Sequence, residues 1–424
     1  MPDGTLIPPT CCDTEPGLLP LAEARARLLR GVMPVAGTEL LPLGAAAGRL
    51  LADAPRAAIA LPPFDQSAMD GYGLTVIDLA TGAAPLLVRR IAAGDAPGPA
   101  LQPGRAVRLL TGAPVPEGVA AVVMQEHVTL EQGRVLPHRP ARPGDNLRRR
   151  GEDVAEGECL AEPGTRLDAR HVALLAAAGL ERVLVRRRLR VALLSNGNEL
   201  RGIGAARDVA AVHDSNRPML RALLAGPEVD CTDLGLLPDD PVALAAALAG
   251  AAAGHDLILA SGGISGGDAD HLPRALAAAG GAVAVLRLAL KPGKPLAHGR
   301  LGDALCLFLP GNPLAALVTM LVLGRPLLTR LAGGTVPAGA PPLAAVSAEA
   351  FSRRPGREEF LPARILGHDA AGLPLLARAG EAGSGRLLPL SRADGLLWLP
   401  AAAERVAPGD PLRFHPFSAA FGLG

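Results

Sequence analysis

The segment Ser261–Asp270, SGGISGGDAD, combines glycines, hydroxyls and carboxylates in one loop. It follows an apolar run typical of a buried strand and precedes a helical pattern. Its glycines let backbone amides approach an anion closely, and the start of the next helix adds a partial positive charge. Asp268 and Asp270 would then lie beside a bound phosphate, where Mg²⁺ is the usual bridge. The spacing matches neither a Walker loop nor the dinucleotide fingerprint, so a phosphate site and a plain glycine-rich turn both stay open.

A second segment, PPFDQSAMDGYG at Pro62–Gly73, carries two carboxylates, Asp65 and Asp70, and the only tyrosine of the chain. Two carboxylates at this spacing on a turn can hold a hard cation or orient a polar ligand. The same residues can instead shape a turn that enters a β domain, with each aspartate capping backbone amides. Spacing alone favours the capping role over the functional one.

A third segment, KPGKP at Lys291–Pro295, has two lysines, each followed by a proline, in a chain where lysine is scarce. Two ammonium groups on a stiff loop suit an oxyanion or a phosphate, although solvated surface lysines are the plain alternative. The segment LPGNP, Leu309–Pro313, lies at the end of another apolar run. Its backbone amides and the helix predicted to begin near Pro313 could also receive an anion.

The other polar segments give weaker signals. SNGNEL, residues 195–200, follows a strand and has Glu199 as its only charge, while DSNRPML, residues 214–220, is typical of a helix N-cap. The arginine clusters at 148–150 and 186–190 indicate solvated or interdomain faces rather than phosphate sites, because the overall charge is balanced. The histidines are scattered without metal-ligand spacing, so no histidine is assigned to a metal.

These segments need elements that position them, and the first half of the chain changes texture twice. Residues 18–51 are rich in Ala, Leu and Arg with helical spacing, and a helix is also predicted at His171–Gly179. Between them, Gly and Pro recur among short apolar runs, which indicates strands. The sequence therefore predicts a discontinuous mixed or helical domain, 15–51 and 149–188, interrupted by a β-rich insertion, 52–148.

The second half alternates short apolar runs with helical patterns. Buried strands alternating with helices indicate a parallel α/β domain, whose site lies where the loops leave the carboxyl ends of the strands. We predict this domain at 189–332 and a C-terminal β domain at 333–416, so the fold class is multidomain α/β plus β. The predicted strands are Val191–Leu194, Asp256–Ala260 and Leu305–Leu309, and the predicted helices are Pro218–Leu224 and Leu272–Ala279.

Composition excludes several classes of protein. The 424 residues are too many for one ordinary core, and 49% hydrophobic residues suffice for a folded soluble chain. Aromatic residues are only 2%, and the formal net charge is +1. The first figure argues against stacking platforms for single-stranded nucleic acid, and the second leaves no global basic field for DNA or a membrane.

The compartment follows from the cysteines and the apolar segments. The five cysteines lack paired spacing, which indicates neither a disulfide framework nor a zinc site. No basic start and apolar core of a signal peptide are expected at the N-terminus. Residues 304–324 carry no charge, but the central PGNP cannot continue a helix, so we predict a strand, a turn and a buried helix rather than a membrane span. A cytoplasmic location fits best.

Taken together and in this order, the segments closely resemble the MoeA family of molybdopterin molybdotransferases, which includes the gephyrin E-domain. Besides the segments already quoted, the resemblance includes TGAPVPEG (Thr111–Gly118), RRGEDV (Arg149–Val154) and GREEF (Gly356–Phe360). The collinear motifs span about Leu18 to Leu412. Each motif is weak alone, whereas the whole ordered set is specific to the family.

The resemblance implies a reaction and its partners. Adenylylated molybdopterin and molybdate are the expected substrates: molybdenum is inserted at the dithiolene, and the AMP–phosphate linkage is hydrolysed with Mg²⁺. The family forms homodimers whose site lies between the α/β domain of one subunit and the β insertion of the other. A molybdopterin adenylyltransferase and apo-molybdoenzymes or their chaperones are the expected protein partners, without nucleic acid or membrane.

The resemblance also assigns residues. Cationic and hydroxyl donors suit molybdate, because it is a tetrahedral oxyanion, and the implied candidates are Lys291, Lys294, Arg357 and Ser384. The implied catalytic set is Asp65, Asp70, Glu199 and Asp268, of which Asp268, Glu199 and Asp70 would hold the metal. The remaining implied substrate-binding residues are Ser67, Thr111, Ser261, Gly262, Gly263, Ser265, Gly267, Pro295 and Asn312.

The chain departs from the family pattern at four positions: Asn198 and Ala120 stand where Asp is usual, Ala315 where Ser is usual, and Ala269 where Tyr is usual. Asn198 lacks the negative charge that a divalent ion favours but can coordinate through its carbonyl. An active molybdenum insertase is favoured. The alternative is a non-catalytic or specialised paralogue that carries molybdopterin or acts as a scaffold. An adenylyltransferase ranks lower, because it gives no reason for the β insertion and the C-terminal domain.

Overall fold

The computed structural model describes residues 17–206, 208–264, 271–336, 342–381 and 383–417. Helix α1 spans Leu21–Leu29, and strand β1 follows at Thr38–Pro42. The predicted helical character up to residue 51 is therefore wrong beyond α1. Gly31 has a left-handed φ of +68° just after the helix end, and Pro34 cannot rejoin a helical hydrogen-bond ladder, so the chain becomes extended.

The β-rich insertion has the strand character that the sequence predicts. Its elements are β2 (Gln66–Ser67), β3 (Gly71–Leu74), α2 (Val76–Thr81), β4 (Leu86–Ile91), β5 (Arg105–Leu109), β6 (Ala121–Met124), β7 (Val128–Glu131), β8 (Arg134–Pro137) and β9 (Leu147–Arg148). Among the described residues, one sheet runs in the order β6-β3-β5-β4-β8-β7, and β2 pairs separately with β9. Val107, Leu109 and Val122 are fully buried against one another in the core of this unit.

The chain then returns to the first segment. Helix α3 (Ala169–Ala177) confirms the predicted helix within two residues, and Asp168 caps it by accepting from the backbone amides of Arg170 and His171. Strand β10 (Arg182–Arg186) pairs antiparallel with β1. This pairing joins the chain segments on either side of the insertion.

The α/β region follows with the predicted alternation of strands and helices. Its elements before the last two helices are β11 (Leu189–Asn196), β12 (Leu200–Arg201), β13 (Val212–His213), α4 (Asn216–Leu223), β14 (Val229–Leu237), α5 (Pro241–Ala252), β15 (Leu257–Ser261), α6 (His271–Ala278), β16 (Ala282–Arg287), β17 (Leu290–Lys291), β18 (Pro295–Leu301) and β19 (Ala304–Leu309). The three predicted strands correspond to β11, β15 and β19, and the two predicted helices to α4 and α6.

Within the described part of this region, the main sheet runs β14-β11-β15-β19-β18-β16. The strands β14, β11, β15 and β19 are parallel, whereas β18 is antiparallel to both of its neighbours. The sheet is therefore mixed at one edge rather than wholly parallel. The hairpin at Gly302, which has a left-handed φ of +57°, reverses β18 directly into β19 without a helical crossover.

A long apolar helix follows β19. It comprises α7 (Pro313–Thr319), a π-helical turn at Met320–Gly324 and α8 (Arg325–Leu331). By length and composition this 19-residue stretch could cross a membrane, but 61% of its most apolar window is buried inside the protein. Leu314, Val318 and Leu327 pack in the largest hydrophobic cluster, beneath the sheet. The predicted strand, turn and buried helix are confirmed.

The C-terminal β domain is also confirmed. Its elements are β20 (Leu343–Ser347), β21 (Phe351–Ser352), β22 (Glu358–His368), β23 (Pro374–Arg378), α9 (Leu387–Ser391), β24 (Gly395–Leu399), β25 (Arg405–Val406) and β26 (Pro411–Pro416). Among described residues its sheet runs β17-β22-β23-β20-β26-β24, with β24 also paired to β22. Strand β17 precedes this domain in the chain, so the first lysine of KPGKP joins the C-terminal sheet.

We expect Asp256→Asn to lower the free energy of unfolding by about 2 kcal/mol, the scale for losing charged hydrogen bonds in a mostly buried pair. Asp256 is 11% exposed and accepts from Arg187 Nη1 and Nη2, both at 2.7 Å. Burial raises the pKa of Asp256, but the hydrogen bonds from Arg187 and from the Arg190 amide lower it more, so the pKa lies below its ordinary value. Urea unfolding at pH 7 measures the difference.

The sign of the pH dependence follows from that lowered pKa. The stabilisation by Asp256 is complete above the unfolded pKa of about 4 and is lost as the pH falls through the folded value. The gap between parent and variant should therefore shrink below about pH 4. Asp303→Asn, at an exposed turn of the same sheet, is the matched control and should leave the unfolding free energy nearly unchanged.

Candidate functional site

A large cleft opens at the carboxyl ends of β11, β14, β15 and β19. Its volume is about 1080 Å³, and both the α/β region and the C-terminal domain line it. The chain leaves β11 first to β14 on one side and later to β15 on the other, so the β11–β15 boundary is a topological switch point. Open α/β sheets bind ligands at such points, as the sequence predicts for this domain.

The glycines at the end of β15 form the floor of the cleft. Gly262 and Gly263 have left-handed φ values of +119° and +53°. A Cβ at Gly262 would lie 2.4 Å from the carbonyl oxygen of Asn196, and one at Gly263 would lie 2.7 Å from Asn196 Nδ2. Only glycine therefore lets these two loops meet at the switch point.

The other predicted residues of this loop differ in what can be said of them. Ser261 is 2% exposed, and its hydroxyl accepts from Asn216 Nδ2 at 2.7 Å and donates to the Pro310 carbonyl at 3.1 Å. Ser261 therefore ties three loops together at the rim. Ser265, Gly267 and Asp268 lie outside the described residues, so their assignment stays a prediction.

Asn216 is a site residue that the sequence reasoning treated only as a capping candidate. It is 7% exposed and donates from Nδ2 to Ser261 Oγ and to the Gly311 carbonyl, both at 2.7 Å. The N-cap residue of α4 is Ser215, whose side chain makes no capping hydrogen bond; the preceding Asp214 accepts from the amides of Asn216 and Arg217. The N-cap signal was the available clue, but nothing in it revealed the bonds across the sheet.

Asp239 is a second residue that the sequence reasoning missed. It follows β14, lines the cleft, and accepts from Asn196 Nδ2 at 2.8 Å and from the Asn198 amide at 3.0 Å. Its own amide donates to Asn198 Oδ1 at 3.1 Å. Asn198 and Asp239 thus bind each other reciprocally, and the Asp239 carboxylate places negative charge beside the neutral amide at position 198.

Mg²⁺ prefers oxygen ligands and is usually held by one or two carboxylates together with substrate phosphates. Glu199, a predicted metal ligand, lines the cleft with Asp239. Within the described residues, no group of three His, Cys, Asp or Glu side chains is close enough to form a complete protein cage. An ion bound here would therefore need ligands beyond the Glu199 and Asp239 side chains, and substrate oxygens or water could supply them.

We expect Asn198→Asp to lower the Mg²⁺ concentration that gives a half-maximal rate of AMP release, the expected reaction. A carboxylate attracts a hard dication more strongly than an amide does. The new carboxylate would face Asp239, so without Mg²⁺ the variant should be less stable than the parent. Rate against Mg²⁺ concentration and thermal unfolding with and without Mg²⁺ measure the two effects. Asn146→Asp, in the insertion, is the control for the Mg²⁺ dependence of the rate. If Asn198→Asp left the half-maximal Mg²⁺ concentration unchanged or raised it, the loop that contains Asn198 would not serve the metal.

One wall of the cleft is cationic. It is lined by Lys291, Lys294 and Arg357, the residues that the family resemblance implies for molybdate, together with Pro295 and Ser384. Lys291 does not project freely: its Nζ lies 2.9 Å from Oε1 of Glu359, a buried carboxylate of β22 that sequence reasoning missed. The structure thus brings both lysines of KPGKP and the arginine of GREEF to one surface.

The start of the long apolar helix closes this wall. Asn312 is the N-cap residue of α7, and its side chain makes no capping hydrogen bond. The Leu314 amide donates to the Ser384 carbonyl at 3.1 Å, which joins the LPGNP turn to the C-terminal domain. Ala315, where the family usually has Ser, also lines the cleft. The missing hydroxyl therefore falls at the site itself.

The predicted site residues of the insertion lie away from this cleft in the folded subunit. Among the described residues that line the cleft, none comes from positions 52–148, so Asp65, Ser67, Asp70 and Thr111 are not brought to it within one subunit. Ser67 is 1% exposed and its hydroxyl donates to the Met69 carbonyl at 2.6 Å. Its observed role is to shape the PPFDQSAMDGYG turn.

Both aspartates of this turn cap backbone amides, which is the structural role that their spacing favours. Asp65 accepts from the Arg150 amide and from Arg149 Nη1. Burial raises its pKa, but these hydrogen bonds outweigh burial and hold the pKa below its ordinary value. Asp70 accepts from the Thr111 amide and hydroxyl, both at 2.7 Å, and these bonds lower its pKa. Both groups are therefore anionic at neutral pH.

Fold and cleft together define a multidomain α/β protein whose cleft is lined both by the glycines after β15 and by Lys291, Lys294 and Arg357. Family profiles cover most of the chain. Residues 19–179 match the MoeA N-terminal region (domain I and II), 192–330 match a probable molybdopterin binding domain, and 344–417 match the MoeA C-terminal region (domain IV). The order of the three profiles follows the order of the structural units described above.

Relatives along the whole chain agree. A molybdopterin molybdenumtransferase of Haemophilus influenzae is 34% identical over 96% of this chain and 100% of its own length. One of a Nostoc species is 34% identical over 88% of this chain and 87% of its own. The crystal structure of a molybdopterin biosynthesis MoeA protein from Pyrococcus horikoshii superposes with a TM-score of 0.78 at 26% identity, covering 94% of this chain and 100% of that one. The chain belongs to the MoeA family.

Proposed function

We propose that this protein is a molybdopterin molybdenumtransferase that inserts molybdenum from molybdate into adenylylated molybdopterin and releases AMP. The observation that carries the proposal is the cleft itself. Lys291, Lys294 and Arg357 line the same cleft of about 1080 Å³ as Gly262 and Gly263. An oxyanion and a phosphorylated ligand can therefore occupy one site.

The cationic wall and the glycine floor bind different substrates. Lys294, Arg357 and Lys291 bind the tetrahedral molybdate, because ammonium and guanidinium groups donate to its oxygens. The Gly262 amide donates to the Leu309 carbonyl, so the amides that follow Gly262 in the glycine loop would receive the phosphate of the pterin substrate. Molybdenum forms bonds to the two dithiolene sulfurs, with oxygen leaving as water, and a water molecule cleaves the phosphoanhydride to give AMP and the pterin phosphate.

The carboxylates of Glu199 and Asp239 serve the cleavage step. Glu199 and Asp239 would hold Mg²⁺ with the anhydride oxygens, and Asp268 is the third predicted ligand. Bound Mg²⁺ screens the anhydride charge and makes the phosphorus easier to attack. Asn198 fixes the position of Asp239 through the two hydrogen bonds described above. The protein's own part is therefore to hold a carboxylate pair beside the glycine floor.

The predicted residues of the insertion reach such a site in a homodimer. Asp65, Ser67, Asp70 and Thr111 do not line the cleft of their own subunit, and the insertion of a second subunit can present them from outside. A two-fold dimer then has two equivalent clefts, each completed by the partner. Asp70 is half-buried and anionic, which suits a group that meets a metal ion or water at the edge of the cleft.

The remaining assignments follow from the reaction. Its substrates are anionic small molecules, which suits a cytoplasmic enzyme. A molybdopterin adenylyltransferase would supply the adenylylated pterin, and apo-molybdoenzymes or their chaperones would accept the product. No step needs nucleic acid or a membrane.

The test is a reconstitution with defined components. Incubating the protein with adenylylated molybdopterin, molybdate and Mg²⁺ should release AMP only when molybdate is present, and the product should activate an apo-molybdoenzyme. Omitting molybdate and using heat-denatured protein are the controls. Release of AMP without any dependence on molybdate would contradict insertion.

The alternative is that the protein carries molybdopterin without catalysis. Two observations at the cleft support it, the neutral side chain of Asn198 and the missing hydroxyl at Ala315. A carrier would bind adenylylated molybdopterin with a measurable affinity and return it intact. In the same reconstitution, binding without molybdate-dependent AMP release would therefore support the carrier and reject the enzyme.

A further inference from the structure

Glu359 is a buried carboxylate at the cationic wall of the cleft. Its side chain is 3% exposed and contacts two cations: Lys291 Nζ lies 2.9 Å from Oε1, and Arg353 Nε lies 2.7 Å from Oε2. Arg353 is itself 4% exposed, whereas Lys291 is 45% exposed and faces the cleft. Arg353, Glu359 and Lys291 therefore form a chain of ion pairs from the C-terminal domain to the cleft. The Lys291 ammonium, at the cleft end, is open to a ligand.

The backbone reinforces this arrangement. Strand β17 pairs with β22 in parallel, with Lys291 opposite Glu359, and the Glu358 amide donates to the Ala289 carbonyl at 2.8 Å. The lysine is therefore fixed at its Cα by the sheet and at its ammonium by the carboxylate. A lysine side chain otherwise loses much rotamer freedom when it binds a ligand.

The charges also favour ligand binding over mere burial. A buried carboxylate without a partner is strongly unfavourable, and Arg353 supplies that partner from the protein interior. Because Arg353 already compensates Glu359, the charge of Lys291 is not cancelled at the cleft. Two of the three N–H bonds of Lys291 stay available for oxygens of an anion.

We infer that Glu359 is a positioning residue for the oxyanion site: it holds the Lys291 ammonium at the wall of the cleft, so that the C-terminal domain contributes to molybdate binding. The inference rests on the proposed function, in which Lys291 binds molybdate. It assigns Glu359 no contact with substrate.

The first test is Glu359→Gln, which keeps the size of the side chain and removes its charge. We expect the molybdate concentration for half-maximal AMP release to rise about tenfold, the scale for having to order a free lysine on binding. The rate at saturating molybdate and the affinity for the adenylylated pterin should both stay within about twofold. Glu359→Asp should recover part of the loss. The control is Glu349→Gln, which removes a carboxylate paired with Arg378 in the same domain.

A double-mutant cycle separates positioning from general structural damage. In a Lys291→Ala background, Glu359→Gln should cost nothing further in molybdate binding, because the carboxylate acts through that lysine. If the two changes add fully, Glu359 acts elsewhere and the inference is wrong. If Lys291→Ala alone leaves molybdate binding unchanged, the assignment of Lys291 in the proposed function fails instead.

A second measurement does not depend on activity. Lys291 and Lys294 are the only lysines of the chain, so peptide mass spectrometry can follow the acylation of each one separately. Release of Lys291 from its ion pair should speed its acylation about threefold or more in Glu359→Gln, and less in Glu359→Asp, relative to Lys294. Equal ratios in parent and variants would overturn the positioning role.

Discussion

Lys294→Ala is expected to weaken molybdate binding by about 1–3 kcal/mol, the scale for losing charge-assisted hydrogen bonds to an oxyanion. That range corresponds to about 5-fold to 150-fold in the half-saturating molybdate concentration. Lys291→Ala should have an effect in the same range, because both ammonium groups line one wall of the cleft. Titrating molybdate with the adenylylated pterin present measures both variants.

The comparison with the pterin decides what the lysines bind. Binding of the adenylylated pterin alone should change less than molybdate binding in both variants. Arg357→Ala should weaken molybdate binding separately, since a guanidinium can grip two oxygens at once. Arg354→Ala, close in sequence but not a lining residue of the cleft among the described positions, is the matched control. If the variants bound the adenylylated pterin more weakly but bound molybdate with unchanged affinity, the lysines would bind the nucleotide part of the pterin substrate rather than molybdate.

Asp70→Ala is expected to lower molybdate-dependent AMP release by at least about tenfold, the scale for losing one metal ligand or its support. Asp268→Ala is expected to have a comparable effect. Asp70 is half-buried, and in the described contacts its side chain bonds only to Thr111, so the variant should remain folded, as thermal unfolding would verify. Asp95→Ala is the control, because Asp95 is an exposed aspartate that caps a backbone amide of the same insertion.

Mixed dimers test whether Asp70 acts on the partner's cleft. Coexpressing Asp70→Ala and Lys294→Ala chains gives heterodimers in which one cleft has both lesions and the other has neither, if the insertion reaches across the dimer. Random mixing should then restore about a quarter of the parental rate from two nearly inactive chains. Recovery well below that level would mean that Asp70 and Lys294 of the same chain serve the same cleft, so that the insertion does not reach across the dimer.

The elements that the sequence predicted best are those with strong local patterns. β15 and β19 are continuous apolar runs bounded by Gly and Pro, so their positions follow from burial on both faces of a sheet. The stretch from α1 to β1 was predicted wrongly as helical, since Ala, Leu and Arg occur with helical spacing even where Gly31 and Pro34 end the helix. Composition could not register a break that depends on two residues.

The sequence by itself determined the kinds of group at the site. Glycines after a strand, two lysines each followed by a proline and an arginine in GREEF are local features, and all of them line the cleft. Their chemistry depends on residue type, and their placement at strand ends depends on short-range patterns. The family resemblance rested on the same local segments in their order along the chain.

Only the tertiary structure decided which residues support those groups. Asn216 meets Ser261 and Gly311, Asp239 meets Asn198, and Glu359 meets Lys291 across distances of 41 to 95 residues in the chain, or through strand pairing between domains. Such partners carry no local signature, because a single amide or carboxylate is common on any surface. They come together since parallel strands end at one edge of the sheet and β17 joins the C-terminal sheet, and that long-range pairing is a property of the folded chain.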